Sequence, residues 1–281
     1  LVFTLADQNA VQADVVDDYH ATKVPDPYRW LEDDNTDETK AWVEAQNKVT
    51  FGFLHQIPER DKLRDRIKAL LHYERYDAPH RRGGKYFWTY NPGLKDQRIL
   101  YVADALGDGK TGEPRVLLDP NTLSADGTTA LTSWAPSEDG TKLAYGLQKS
   151  GSDWQEFRVR DVATGKDTDD LVQWVKFSSA SWMKDGSGFF YSRYDEPKPG
   201  AALTAKNEFQ KLYFHRLGTP QSEDRLIYER KDHPDWGFYG GVTDDGRYLV
   251  ISVTQGTDPK NRVFYQELGK ADSGVVELLT D

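Results

Sequence analysis

Six histidines (His20, His55, His72, His80, His215 and His233) and the absence of cysteine limit the reactive chemistry open to this chain. No two histidines share metal-ligand spacing, so the sequence offers no zinc site, and without thiols there are neither disulfides nor thiolate nucleophiles. A serine hydrolase needs its nucleophile on a strained strand-to-helix turn, written Gly-x-Ser-x-Gly, and that pattern is absent. Ser150-Gly151-Ser152-Asp153-Trp154 comes nearest by eye, but it lies between two strand-like runs and reads as a turn. Asp33, Asn35, Asp37 and Glu44 occupy positions one, three, five and twelve of a calcium-loop template. Glu38 stands where that loop requires Gly, and an acidic first helical turn accounts for the same carboxylates through the helix dipole. There is no Walker loop, dinucleotide fingerprint or His-Glu-x-x-His helix. On residues alone the chain carries no catalytic machinery, metal site or cofactor site.

The elements are more regular than the chemistry. Ser137-Glu138-Asp139-Gly140-Thr141-Lys142-Leu143-Ala144-Tyr145-Gly146-Leu147 couples an Asp-Gly turn to an apolar, aromatic strand. The phrase returns at 183–192 and 243–252, and a weaker copy, Arg82-Gly83-Gly84-Lys85-Tyr86-Phe87-Trp88, precedes all three. Each copy is followed by a second β-type run, at 98–102, 157–162, 211–217 and 262–268. Repeats of several strands at roughly 40–60 residues predict β-propeller blades, each of which needs neighbours to bury its faces. The expected fold is therefore mainly β, a propeller of about four antiparallel blades from about residue 80 onward, with a loop-rich sandwich as the alternative. Tyr194 to Glu208, with two prolines and Gly200, reads as a long mobile connection within a blade.

The chain has 281 residues, 37% of them hydrophobic and 12% aromatic, with a mean hydropathy of −0.75. This is polar for a globule but compatible with turn-rich blades. A formal charge of −10 argues against nucleic acid as a partner, because phosphate binding needs a basic surface. No stretch approaches the roughly 18 apolar residues of a membrane span. Leu1 to Ala6 reads either as the tail of a signal peptide or as an ordinary terminus, so cytoplasm and periplasm both stay open.

Before the repeats the pattern is different. Val24-Pro25-Asp26-Pro27-Tyr28-Arg29-Trp30 is extended and Pro-interrupted, and suits a strap. A helix is expected next, capped by Asn35 with Glu38 three residues on, and striped by Trp42, Ala45, Val49 and Phe53. Pro58 opens a second, with Leu63, Ile67, Leu70 and Leu71 on one face. The repeats show no helical complement, so these helices are expected to dock elsewhere.

Several long segments then match one family in order. Asp17-Asp18-Tyr19-His20, Val24 to Asp33, Thr39 to Lys48, Asp96 to Val102, Leu118-Asp119-Pro120-Asn121, Ser150 to Trp154 and Gly218 to Asp224 together resemble the amino-terminal part of prolyl oligopeptidase. The resemblance implies a serine peptidase cutting short peptides on the carboxyl side of proline. Its α/β-hydrolase domain is built from both chain ends, around a seven-bladed propeller that restricts access. Residues 1–76 would then pack on the peptidase domain and residues 77–281 would form the first blades. The family's Ser, Asp and His would lie in a later part that this sequence does not contain, leaving the chain inactive alone and in need of no cofactor. Its partners would be that domain and proline-containing peptides.

The same resemblance supplies the candidate substrate contacts. Val175-Lys176-Phe177-Ser178 matches the motif whose aromatic ring lines the substrate pocket, which makes Phe177 a candidate contact, with a blade-core role as the alternative. Thr257, in Gly256-Thr257-Asp258-Pro259, sits where the family pattern carries Cys in the same cavity, so thiol sensitivity based there is not expected. Trp236 to Gly241 departs from the pattern and leaves that pocket wall open. The rival from another class is a self-contained four-bladed propeller that binds peptides or proteins without catalysis.

Overall fold

Sheets in this chain are set by a two-residue alternation that serves two neighbours at once. The computed structural model describes residues 14–104, 113–270 and 273–279; Leu1 to Ala6 lies outside them. The chain divides into two compact units, Leu1–Leu71 and His72–Asp281.

The first unit opens on a hairpin, β1 (Val16–Tyr19) against β2 (Thr22–Pro25), turned by His20 and Ala21 at φ 53° and 68°. Arg29 is held by Asp26 and Asp17, which ties the extended strap to the hairpin. Helix α1 spans Asp37–Leu54, and its cap is Thr36, whose hydroxyl accepts the Thr39 amide at 3.2 Å. The capping expectation therefore shifts by one residue. Asn35 is used differently, its backbone N–H donating to the Asp33 carboxylate. Trp30 and Trp42 meet edge to face at 6.3 Å. Helix α2 spans Arg60–Leu71 and begins two residues after Pro58. Its stripe is open to solvent, with Leu63 59% and Ile67 55% exposed.

Among the described residues the second unit is four antiparallel blades in chain order, the middle two joined into one eight-stranded sheet. The first holds β3 (Arg75–Tyr76), β4 (His80–Arg82), β5 (Lys85–Asn91), β6 (Ile99–Ala103) and β7 (Arg115–Leu118). The second holds β8 (Thr129–Pro136), β9 (Lys142–Lys149), β10 (Gln155–Asp161) and β11 (Asp167–Val175). The third holds β12 (Ser181–Trp182), β13 (Gly188–Arg193), β14 (Lys211–Arg216) and β15 (Arg225–Tyr228), and touches the second through the single pair Val175–Arg193. The fourth holds β16 (Trp236–Val242), β17 (Tyr248–Gln255), β18 (Arg262–Glu267) and β19 (Val276–Leu279). The strands anticipated from the repeats are β5, β9, β13 and β17, followed by β6, β10, β14 and β18. They are the two middle strands of each blade.

Each middle strand sends alternate side chains to opposite faces, and both faces are covered. On β9, Leu143, Tyr145 and Leu147 pack with Phe87 and Leu100 of the first sheet, while Ala144 packs with Phe157 and Phe189 on the other side. On β13, Phe189 and Tyr191 face the second sheet and Phe190 faces the fourth with Phe238 and Ile251. A run such as Phe189-Phe190-Tyr191 is continuously apolar because sheets lie on both sides of it. Each fully buried ring of this kind contributes about 1.5–3 kcal/mol. Three apolar clusters thus fill the first-to-second, second-to-third and third-to-fourth joints.

The Asp-Gly turns repeat in hydrogen bonding as well as in sequence. The amides of Gly140, Gly186 and Gly246 donate to the carbonyls of Ser137, Met183 and Thr243. All three glycines have φ near +70°, a region where a Cβ is strained. The fourth copy is a tighter two-residue hairpin at Gly83-Gly84 between paired Arg82 and Lys85.

Candidate functional site

The site grows from the link that leaves the second blade. Strand β11 ends at Val175, and the chain then kinks, with Trp174 at φ 60° and Phe177 at φ 53°. Left-handed backbone is disfavoured for bulky side chains, so two aromatics there within four residues mark a place where the surroundings hold the chain. The hydroxyl of Ser178 accepts the Ser192 amide at 2.8 Å. The Gln210 side chain donates to the Lys176 carbonyl at 2.9 Å and accepts the Phe238 amide at 2.6 Å, linking the kink to β16 of the fourth blade. Phe177 is 46% exposed and lies outside the three buried apolar clusters.

Around it stand groups to which the sequence gave no role. Trp154, immediately before β10, meets Trp174 edge-on at 5.7 Å and Tyr194 at 6.2 Å, and its indole donates to the Ala202 carbonyl at 2.6 Å. Lys176 is only 8% exposed, and its Nζ lies 4.7 Å from the Trp154 ring centre. Burial, helped by nearby Tyr239, pushes the Tyr194 phenol up to about 12, so it stays a neutral donor. The Tyr194–Glu208 loop has no regular structure, as expected, but is anchored through Ala202, Asn207 and the Phe209 amide on the Pro234 carbonyl. No repeat pattern reports Lys176 or Trp154. Both lie inside segments that match the family, 150–154 and 175–178, but the match gave neither a role.

Thr257 is exposed in the link that follows β17. Strand β17 ends at Gln255 opposite Trp236, where β16 begins, so Thr257 hangs from the end of the fourth blade that Gln210 ties to the Phe177 kink. The divergent segment 236–241 is β16 itself, with Trp236 stacked on His233 at 3.9 Å.

At the opposite end of the blades lies a cavity of about 560 Å³, bounded by His80, Arg82, Trp134, Glu138, Trp182 and Lys184. Glu138 there pairs with Lys184 at 3.1 Å and with Arg82 at 3.8 Å. Neither end presents a hydroxyl nucleophile bonded to a histidine among the described residues. Ser152 accepts the Trp154 amide within its turn, and His215 faces only carboxylates. The Phe177 end thus offers an exposed aromatic ring backed by Trp154, Trp174 and Tyr194.

A family model described as the prolyl oligopeptidase N-terminal β-propeller domain matches residues 8–281. The chain belongs to the prolyl oligopeptidase family. Prolyl endopeptidase from Elizabethkingia meningoseptica is 42% identical over 264 residues, covering 94% of this chain and 36% of that protein. A dual function macrocyclase-peptidase from Galerina marginata is 34% identical and is matched over 38% of its length. The solved structure of prolyl oligopeptidase B from Galerina marginata, bound to a 35mer hydrolysis and macrocyclization substrate, superposes with a TM-score of 0.82 at 30% identity. It is matched over 97% of this chain and 41% of its own. The chain thus spans well under half the length of these relatives and corresponds to their propeller-bearing amino-terminal part.

Proposed function

We propose that this chain is the amino-terminal part of a serine peptidase that hydrolyses short peptides on the carboxyl side of proline. In this reading residues 1–76 pack on a peptidase domain carrying the Ser, His and Asp, and the blades from 77 onward gate substrate size. The observation that carries it is the exposed, kinked Phe177 at the blade end, within a fold whose relatives are prolyl endopeptidases. A proline ring buries apolar area against an aromatic face without asking for a hydrogen bond, which suits such a wall. Thr257 is assigned to the same wall. The rival, a closed four-bladed binding module, needs an apolar joint between its last and first blades; among the described residues the three apolar clusters fill only the other joints.

The test is to express the full reading frame and measure hydrolysis of a short chromogenic proline peptide. Wild type should cleave it, the 281-residue chain alone should not, and Phe177→Ala should raise KM about tenfold with kcat little changed. Turnover by the chain alone, or a folded full-length protein that leaves proline peptides intact, would overturn the reading.

A further inference from the structure

A lysine that is 8% exposed requires an explanation, because this side chain is seldom buried without a partner charge. Lys176 has no ion pair among the described residues. Its Nζ instead donates to the Asn207 Oδ1 at 3.0 Å, stands 4.7 Å from the Trp154 ring centre and 5.7 Å from that of Phe177. A cation enclosed by two aromatic faces and one amide is attracted by the ring quadrupoles, and the attraction strengthens as water is excluded. An apolar side chain of the same length would fill this volume without bringing in a charge that must lose its hydration. The charge is therefore informative: it gives a direction, holding two rings and a loop toward one point.

That point is the Phe177 kink. A phenylalanine at φ 53° relaxes unless something holds it, and its ring is otherwise 46% exposed. The backbone is held by Gln210 on the Lys176 carbonyl and by Ser178 on the Ser192 amide. Among the described residues the ammonium of Lys176 is the charged group that bears on the ring. Through Asn207 it also draws the 194–208 loop, which Ala202 ties to Trp154, against the same spot.

We propose that Lys176 is a positioning residue for substrate: its ammonium fixes the Phe177 ring as a rigid wall and locks the 194–208 loop beside it. This rests on the peptidase reading above. The residue acts through Phe177 and does not touch the reacting bond, so its loss weakens binding and leaves the chemical step alone.

The test is a double-mutant cycle in the full-length protein, read as KM and kcat on a short chromogenic proline peptide. Lys176→Met keeps the apolar stem and removes the charge; it should raise KM about fivefold with kcat within about twofold. Adding Lys176→Met to Phe177→Ala should produce almost no further rise, because the ring it positions is gone. A general folding defect would instead lower kcat or multiply with Phe177→Ala. If Lys176→Met does not fold, Asn207→Ala, which removes the amide acceptor and leaves the stem, takes its place in the cycle. Effects that simply multiply, or an unchanged KM in Lys176→Met, would overturn the positioning role while leaving the peptidase reading intact. A folded wild type without prolyl activity would overturn both, and a normal KM in Phe177→Ala would remove the wall that Lys176 is said to hold.

Discussion

Both ring nitrogens of His215 face carboxylates: Nδ1 lies 2.7 Å from Asp224 Oδ1 and Nε2 lies 3.1 Å from Asp170 Oδ1. The ring is fully buried and the two carboxylates nearly so. A neutral imidazole has one N–H, so it would turn a lone pair on one of these oxygens; the imidazolium satisfies both. Burial by itself would lower the His215 pKa, but the hydrogen bonds and charges of Asp224 and Asp170 outweigh it and the net direction is upward. Asp224 also accepts the Tyr191 hydroxyl at 2.6 Å, and Asp170 accepts the Gly218 amide and the Thr168 hydroxyl, each at 2.6 Å. Burial, then the Asp224 charge, drives the Tyr191 phenol far above its ordinary range, so it remains a donor. Because the folded pKa is raised, this contact contributes stability that is fully present below the ordinary histidine value of 6.5 and is lost as pH rises through the raised one. The imidazole Cε1–H resonance of His215 should therefore keep its protonated position at pH 7; a neutral tautomer there would contradict the imidazolium. Removing one partner, as in Asp224→Asn, should cost about 3 kcal/mol, read from denaturant midpoints. Asp170 lies on β11 and His215 on β14, so the contact ties the second blade to the third.

Blades meet at their turns as well as through their faces. A Cβ on Gly83 would stand 1.7 Å from the Asp139 carbonyl oxygen, and one on Gly140 would stand 2.6 Å from that of Arg82. The hairpin of the first blade and the Asp-Gly turn of the second therefore touch backbone to backbone, with Glu138 pairing to Arg82 and Lys184 beside them. Neither neighbour is a flexible side chain that can swing aside. Gly83→Ala should lower stability by roughly 1–3 kcal/mol, through overpacking combined with strain at φ +53°. Gly84→Ala provides the comparison: its Cβ would meet nothing within 4 Å, so it bears the backbone strain at φ +79° alone. Equal midpoints for the two variants would show that the close approach contributes nothing.

At the scale of the whole molecule, the amino-terminal unit carries an apolar face that the described structure leaves open. Leu63, Ile67 and Leu70 of α2 are 59%, 55% and 55% exposed, and Val43 and Phe51 of α1 are 45% and 46% exposed. Exposed apolar side chains in such numbers suit a partner surface that would cover them. If a peptidase domain covers it, the 281-residue chain should bind more 1-anilinonaphthalene-8-sulfonate per mole than the full-length protein. Equal dye binding would place the covering surface elsewhere. Much of this architecture was legible in the sequence: the middle strands recur as turn-strand phrases, and the helices follow a three-four spacing. The flanking strands were not legible. β12 has two residues and β19 is exposed along its length, so neither carries an alternating pattern.

By itself the amino-acid sequence determined the repeat, the turn chemistry, the two helices and, through the family's motifs, Phe177 and Thr257 as residues to watch. These are local properties: an Asp-Gly turn and an apolar alternation act within about ten residues of chain. Only the tertiary structure decided that Phe177 is exposed at a kink, that Lys176 is buried among Trp154, Phe177 and Asn207, and that His215 sits between Asp170 and Asp224. Those partners lie 9 to 45 residues apart across the His215 contact and 31 across the Lys176–Asn207 bond. Whether a charge so placed is exposed or enclosed depends on how the blades stack, and no local pattern in the chain encodes that.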